Sequence, residues 1–582
     1  MPRRGDPALP PGERPLDGPQ TTGRGYRNLS EPRYGIARDD DVPITTRDGV
    51  RLLADVFRPD VDERYPVLVS ASCYPRQLQD LGAPMGFIEA GASDFFVSRG
   101  YVHVVANLRG TGGSDGTFTW FDQTERNDLH DLVEWAATQP WSDGRVGMVG
   151  AGYFAMTQLE AATEHPPHLE TIFAVDATAD LYELVWHHGL LNETYVSSWL
   201  TAVGVAAGPH AGLWRGKVLA ALRKGLAAQK DRSRLDQLNG VATLAAFRSF
   251  MQSRYEPEPW DHLRVAACVE HPRRDAFWDE RNLLPRLADV DIPVYLGGEW
   301  DHAPLHLAGT FAAQRALADN PRVRVGVLGA YGVTWPWESL HVEALAWFDH
   351  WLKGVDTGIT DGPPIRYWLG GAEDWRTASA WPPPEATSRE LALRWDALLD
   401  PVEGSPGTRD YLCVTDGFRP GPDVNPSFLP SHLQWESLPL PADLDVVGDI
   451  ELRLDASLST ADGGWLVTLL DVAEDGRART ITAGWLRAGL RTVDEAASRY
   501  GAPVLPCREP VAVVPNEVVS YRIPLVPHAH RFVAGHRIGL VITSDDRAPS
   551  APTILGFRHQ PAEPASRASV RSSSRLLLPV LP

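Results

Sequence analysis

Residues 144–162, Gly-Arg-Val-Gly-Met-Val-Gly-Ala-Gly-Tyr-Phe-Ala-Met-Thr-Gln-Leu-Glu-Ala-Ala, have the residue types of a reactive turn. Val146 to Val149 reads as a short buried strand, the small residues after it as a tight turn, and Tyr153 onward as a helix-forming run. Such a strand, turn and helix presents its apex residue on a strained backbone. A serine there can attack a carbonyl while the following N–H holds the developing oxyanion. Here the apex is Gly152, which has no side chain to attack anything. Acyl-enzyme chemistry is therefore excluded at this position unless another group substitutes.

The elements that must position this turn follow from the apolar runs. Pro66 to Ser72, Tyr101 to Asn107, Val146 to Val149, Thr171 to Asp176, Pro293 to Gly298 and Val323 to Leu328 are apolar on both faces and separated by helix-length segments. That pattern predicts parallel strands of a doubly wound sheet buried under helices. Asn127 to Ala136 has helical spacing and should lead into the strand before the turn. Ala/Leu/Arg-rich stretches, Leu213 to Gln229 and Val241 to Arg254, interrupt the sheet pattern. From about residue 365 short β-type runs (Ile450 to Ala456, Trp465 to Val472, Thr480 to Ala488, Val518 to Leu525, Arg537 to Ser544) predict a β-sandwich of jelly-roll type.

With 582 residues the chain is too long for one core. The expected division is a mobile or surface-draped arm over 1–35, an α/β domain over 36–180 and 291–356, a helical insertion over 181–290, and a β-sandwich over 357–582. A net charge of −20 argues against nucleic acid or an anionic membrane as partner and favours a small-molecule ligand. A homo-oligomer is compatible with the sequence. The four cysteines lie far apart, suggesting neither zinc site nor disulfide framework, and a reducing cytoplasm is the simplest setting. No metal or cofactor site is expected, and the Pro/Gly/Arg-rich start lacks the apolar stretch of a signal peptide or anchor.

Several stretches together resemble the CocE/NonD family, which contains cocaine esterase and the X-Pro dipeptidyl-peptidases. They are Trp141-Ser142-Asp143-Gly144-Arg145-Val146-Gly147 before the turn, Thr46-Arg47-Asp48-Gly49-Val50-Arg51-Leu52 with Phe57-Arg58-Pro59, Asn107 to Gly116, and Trp347-Phe348-Asp349-His350-Trp351-Leu352-Lys353-Gly354. The likeness runs from about residue 45 to the C-terminus. It implies an α/β-hydrolase fold with a helical lid, plus a C-terminal jelly roll.

The resemblance also implies roles. Gly152 stands where the family carries its serine, and Tyr295-Leu296-Gly297-Gly298-Glu299-Trp300-Asp301 matches the loop of the triad acid, so Asp301 corresponds to that acid. The family's histidine position falls at Val333 or a close neighbour, and no histidine lies between His306 and His341. His302 and His306 are the nearby candidates for recruitment, although packing histidines are the commoner case. Ser70 to Arg76 matches the oxyanion loop, which assigns the oxyanion to the Tyr74 hydroxyl and the Tyr153 N–H. Cys73, beside Tyr74, reads as a small core residue. A carboxyl at Asp301 facing an apolar pocket without that histidine is expected to titrate high, in the range useful for acid–base work.

Three functions remain open at this level: proton-transfer chemistry in a repurposed hydrolase fold (cyclisation, elimination or rearrangement of a carbonyl compound), ligand binding without catalysis, and residual ester or amide hydrolysis. The volume left by Gly152 and Val333 suggests an apolar, carbonyl-bearing ligand larger than a simple ester.

Overall fold

The structure, a computed structural model, describes residues 21–79, 89–207, 258–329, 340–395, 397–399, 407–414, 429–546 and 558–582. Val333 and the stretches 213–229 and 241–254 lie outside the described residues.

The α/β domain is built on a ten-stranded sheet. Its first six strands are β1 (Ile36–Thr45), β2 (Arg51–Pro59), β3 (Tyr65–Ser72), β4 (Val102–Asn107), β5 (Ser142–Ala151) and β6 (Leu169–Val175). After a small hairpin of β7 (Trp186–His187) and β8 (Leu190–Leu191) come β9 (Val294–Glu299), β10 (Val323–Leu328), β11 (Ile365–Leu369) and β12 (Asp374–Ala378). The order is β1-β2-β4-β3-β5-β6-β9-β10-β11-β12, parallel from β4 through β11 and antiparallel at both ends. Every residue of β3 and β4 is buried, as continuous apolar runs require when helices cover both faces. The six runs read from sequence are β3, β4, β5, β6, β9 and β10.

Helix α1 (Ser93–Val97) precedes β4, α2 (Gln123–Ala137) precedes β5 and α3 (Tyr153–Thr163) follows it. Asp122 caps α2 by accepting from the Glu125 N–H, and Asp128 on the same helix accepts two 2.5 Å hydrogen bonds from Arg109. The Asn107 to Gly116 loop, prominent in the sequence, is thus anchored to α2 through a buried, bidentate ion pair.

One expected boundary changes. Residues 365–378 form the β11–β12 hairpin on the edge of the ten-stranded sheet, so the β-sandwich begins at about residue 387 instead of 357. Strand texture alone does not say which sheet a hairpin joins, and the parallel pairing of Val325 with Ile365 decides it. The described part of the arm, 21–35, is fastened down: Thr22 is fully buried and donates from its N–H to Glu343 (2.6 Å), and Ser30 donates to Asp349 from its N–H and its hydroxyl, both at 2.7 Å. Two buried carboxylates on the helix His341–Lys353 need these donors.

The C-terminal region comprises β13 (Thr387–Leu393), β14 (Leu398–Leu399), β15 (Thr408–Val414), β16 (Leu433–Glu436), β17 (Leu444–Leu458), β18 (Gly464–Val472), β19 (Ala478–Arg487), β20 (Val519–Phe532), β21 (Arg537–Thr543), β22 (Ala565–Arg571) and β23 (Arg575–Val580). Their mutual pairing is antiparallel. The five strands read from sequence fall within β17 to β21.

Of the insertion, the described residues include α4 (Leu181–Val185), α5 (Glu193–Ala207) and short helices between 260 and 287. Trp199 on α5 covers the turn region, donating its indole N–H to the Tyr74 hydroxyl at 2.9 Å.

The β-sandwich docks on the α/β domain through aromatic rings. Trp381 stacks on Phe311 at 4.7 Å, and Trp300 lies 4.6 Å from His528 on β20. Trp381 joins this contact, whereas Trp375 packs on Trp368 at 5.4 Å and closes over Gly23 of the arm. A second tie is polar: Asp546 to His559 Nδ1 (2.7 Å), His559 Nε2 to His187 Nδ1 (2.7 Å), and His187 onward to the Pro304 carbonyl. Asp546, His559 and His187 are all buried.

Candidate functional site

Gly152 occupies the turn between β5 and α3 with φ +58° and ψ −125°, a left-handed conformation that β-carbon-bearing residues rarely adopt. Its N–H is held by the Val175 carbonyl at 3.0 Å. The turn therefore keeps the sharp geometry that its small residues promised.

The space beside Gly152 is not empty. A Cβ placed there would lie 2.9 Å from Glu89 Cδ and 3.2 Å from Glu89 Oε1. The Glu89 carboxyl accepts the Tyr153 N–H, the donor that sequence assigned to a substrate oxyanion. The volume expected from glycine is thus filled by the protein's own carboxyl, and the Tyr153 N–H is engaged internally. Glu89 is fixed from its backbone: its N–H donates to Gln79 Oε1 (2.9 Å) and its carbonyl accepts the Ala151 N–H (2.9 Å). Burial, and after it the negative charge of Asp176, push the Glu89 carboxyl up to about 8, with the His302 charge and the Tyr153 N–H opposing. It is a protonated acid at neutral pH.

The opposing charge sits on the neighbouring turn. His302 lies at the end of the 3₁₀ turn Trp300–His302 after β9, with Nδ1 2.8 Å from Asp176 and Nε2 2.9 Å from Glu299. Burial works against its protonation, but the two carboxylates prevail and hold the imidazole well above its ordinary range, so it is a cation at neutral pH. The packing role given as the commoner case for His302 does not describe it. Asp176, at the end of β6, has φ +54°, a conformation aspartate tolerates better than most residues and one found at functional sites. Asp301 is half-buried on the same turn as His302, with Oδ2 enclosed.

Tyr74 is buried beside the turn, its ring 6.2 Å from Tyr153. Its oxygen accepts from the Trp199 indole N–H. The Tyr153 ring stacks on Trp199 at 5.8 Å, and its hydroxyl donates to the buried Glu125 at 2.8 Å. Trp120, at φ +60°, lines the space on another side and is followed by Phe121 at φ +65°. Among the described residues, Tyr74, Trp120, Tyr153, Trp199 and His306 surround about 20 Å³ of open space, room for one water. His306 is buried with no hydrogen bond at Nδ1, and burial lowers it to about 4, so its imidazole is neutral.

Cys73 is fully buried and burial raises its thiol well above the ordinary range, which removes it as a nucleophile. Among the described residues no group of three or more His, Cys, Asp or Glu side chains is arranged to hold a metal ion, and no helix is long and apolar enough to cross a membrane.

Sequence reasoning found the turn, Tyr74 and the turn bearing Asp301 and His302. It missed Glu89, Asp176 and Glu299. The one local hint was Glu89-Ala90-Gly91-Ala92, where a carboxyl beside three small residues signals close backbone approach.

At Gly152, Gly152→Ala is expected to destabilise the fold by about 1–3 kcal/mol, the cost of a side chain in a left-handed conformation against a fixed neighbour. Urea unfolding with an unchanged midpoint would remove the argument for strain and contact.

Residues 48–337 match the model of the X-Pro dipeptidyl-peptidase (S15 family), and residues 357–553 that of the X-Pro dipeptidyl-peptidase C-terminal non-catalytic domain. A cocaine esterase of Rhodococcus sp. (strain MB1 Bresler) is 25% identical, with 89% of this chain and 92% of that protein aligned. A putative Xaa-Pro dipeptidyl-peptidase of Bacillus cereus is 21% identical over 85% of this chain and 82% of its own length. Among solved structures, a CocE/NonD family hydrolase from Staphylococcus aureus superposes with a TM-score of 0.72 at 20% identity, covering 97% of this chain and 99% of that one. Its likeness shows the fold, an α/β-hydrolase domain with a C-terminal β-sandwich. On these matches, and on the turn, sheet order and sandwich described above, the chain belongs to the X-Pro dipeptidyl-peptidase and CocE/NonD hydrolase family.

Proposed function

We propose that this member of the hydrolase family carries out proton-transfer chemistry on a small carbonyl compound, with Glu89 as the acid–base group in place of a nucleophilic serine. The observation that carries this reading is the Glu89 carboxyl beside Gly152, held on the Tyr153 N–H. A carboxyl titrating near 8 carries a proton at neutral pH and, once ionised in an enclosed site, is a strong base. Its neighbours divide the remaining work. Tyr74 donates its hydroxyl proton to a substrate oxygen, while Asp176 and Glu299 hold His302 as a fixed cation that stabilises ionised Glu89. Asp301, on the same turn, adds a carboxylate near that cation. Elimination or rearrangement next to a carbonyl needs such an acid–base group and an oxygen donor, and no covalent intermediate.

A second reading, ligand binding without catalysis, draws support from the small space at Tyr74 and Trp199. The two part on one measurement. Infrared difference spectra of the wild type against Glu89→Gln should show a protonated carboxyl band that disappears with a midpoint near pH 8. In parallel, nitrophenyl acetate should give no acyl-enzyme burst, and Gly152→Ser should not create one, since a serine without a base stays a weak nucleophile. A burst in either protein, or a Glu89 carboxyl already ionised at pH 6, would end the acid–base reading.

A further inference from the structure

A cavity at the junction of the two domains lies away from Gly152. A cavity of about 190 Å³ opens between α4, the helix Ala308–Ala316 and β20. Its walls are apolar, with Leu184, Leu284, Ala303 and Leu305 facing the Pro524 to Pro527 stretch. Its volume is near the roughly 150 Å³ of a cavity known to hold benzene, so its occupant has about six to ten non-hydrogen atoms.

One end is charged. Arg315 and Arg499 both approach Asp449, which is almost fully buried. Arg499 donates to Asp449 Oδ2 at 3.2 Å, whereas Arg315 Nη1 stands 3.8 Å from Oδ1, beyond hydrogen-bond reach. Arg315 Nη1 is buried and makes no hydrogen bond. Two guanidiniums against one carboxylate leave a surplus positive charge, and an unmade buried donor costs more than a made one gains. The other acidic wall groups, Asp180 and Glu183, are already engaged by Arg274 at 2.6 and 3.2 Å. His187 and His188 also border the cavity: His187 faces His559, and His188 lies 3.6 Å from Glu183.

We infer that this cavity is a binding site for a small carboxylate with an apolar body, its carboxylate bridging Arg315 and Arg499 and its body lying between Leu184, Leu305 and Pro524. The carboxylate supplies the acceptor that Arg315 lacks and balances the surplus charge. The site stands apart from the proton-transfer reading, because it uses none of Glu89, Tyr74 or His302.

Calorimetric titration of the full chain with hexanoate, hexanol and hexylamine tests this. Hexanoate should bind saturably and raise the melting temperature. Hexanol, which keeps the apolar body but not the charge, should bind about 10–100-fold more weakly, the range of a charge-assisted hydrogen bond. Arg315→Gln should lose the difference between hexanoate and hexanol, and Ala312→Phe, at the partly exposed cavity edge, should weaken both by filling the space. Should Arg315→Gln fail to fold, Arg499→Gln gives the same comparison. Equal affinity for hexanoate and hexanol, preference for hexylamine, unchanged hexanoate affinity in Ala312→Phe, or no saturable binding by any of the three overturns the assignment.

Discussion

Replacing Glu89 by glutamine is expected to lower the elimination of a nitrobenzisoxazole, a substrate opened by removal of one carbon-bound proton, by about 10²–10⁴-fold. The probe needs a base in an enclosed site and nothing else, so it reports on the Glu89 carboxyl without knowledge of the natural substrate. Glutamine keeps the acceptor for the Tyr153 N–H and the local volume, so the loss isolates the proton. The wild-type rate should rise with pH as Glu89 ionises and level off above about pH 8. Stability should move the opposite way. The native carboxyl holds its proton to about pH 8 while an exposed glutamate releases it near 4.5, so the folded state binds the extra proton between those values. Stability therefore falls as pH rises through that window. Glu89→Gln should flatten this slope, which urea unfolding at pH 5, 7 and 9 measures. A variant eliminating at the wild-type rate would show that the base lies elsewhere.

Trp381→Ala is expected to cost about 3–5 kcal/mol and to split a single melting transition into two. Trp381 is buried against Phe311 at 4.7 Å, Tyr367 at 5.7 Å and Trp300 at 6.1 Å, which places it in the aromatic layer joining the α/β domain to the β-sandwich. Truncation leaves a cavity where neither domain can relax alone. Calorimetry distinguishes the outcomes: one undisplaced transition would mean that other contacts carry the docking.

Both expectations show what the sequence discloses. Strands β3 to β6, β9 and β10 were legible because burial on two faces forces unbroken apolar runs. The turn at Gly152 was legible because small residues there have no other use. Glu89 was not, since its position depends on its meeting the turn at Gly152 and on Gln79 fixing its N–H, contacts with no period or motif. The same holds for the pairing of Asp176 and Glu299 on His302, which requires β6 and β9 to be neighbours in the sheet. The hairpin β11–β12 was assigned to the sandwich because alternation reports a strand but not its partner. In each case the missed information is a meeting of segments far apart in the chain.

The histidine chain between the domains has a fixed direction at each end. Asp546 is an acceptor, so His559 Nδ1 must carry hydrogen; the Pro304 carbonyl is also an acceptor, so the far nitrogen of His187 must carry one too. Between them, His559 Nε2 and His187 Nδ1 share a single hydrogen at 2.7 Å. Burial, and after it the neighbouring imidazoles, hold His187 well below the ordinary histidine range, so it is a neutral ring in this chain. The junction of the two domains is thus keyed by direction: each ring nitrogen has one partner, and turning either imidazole over breaks the contacts on both of its sides.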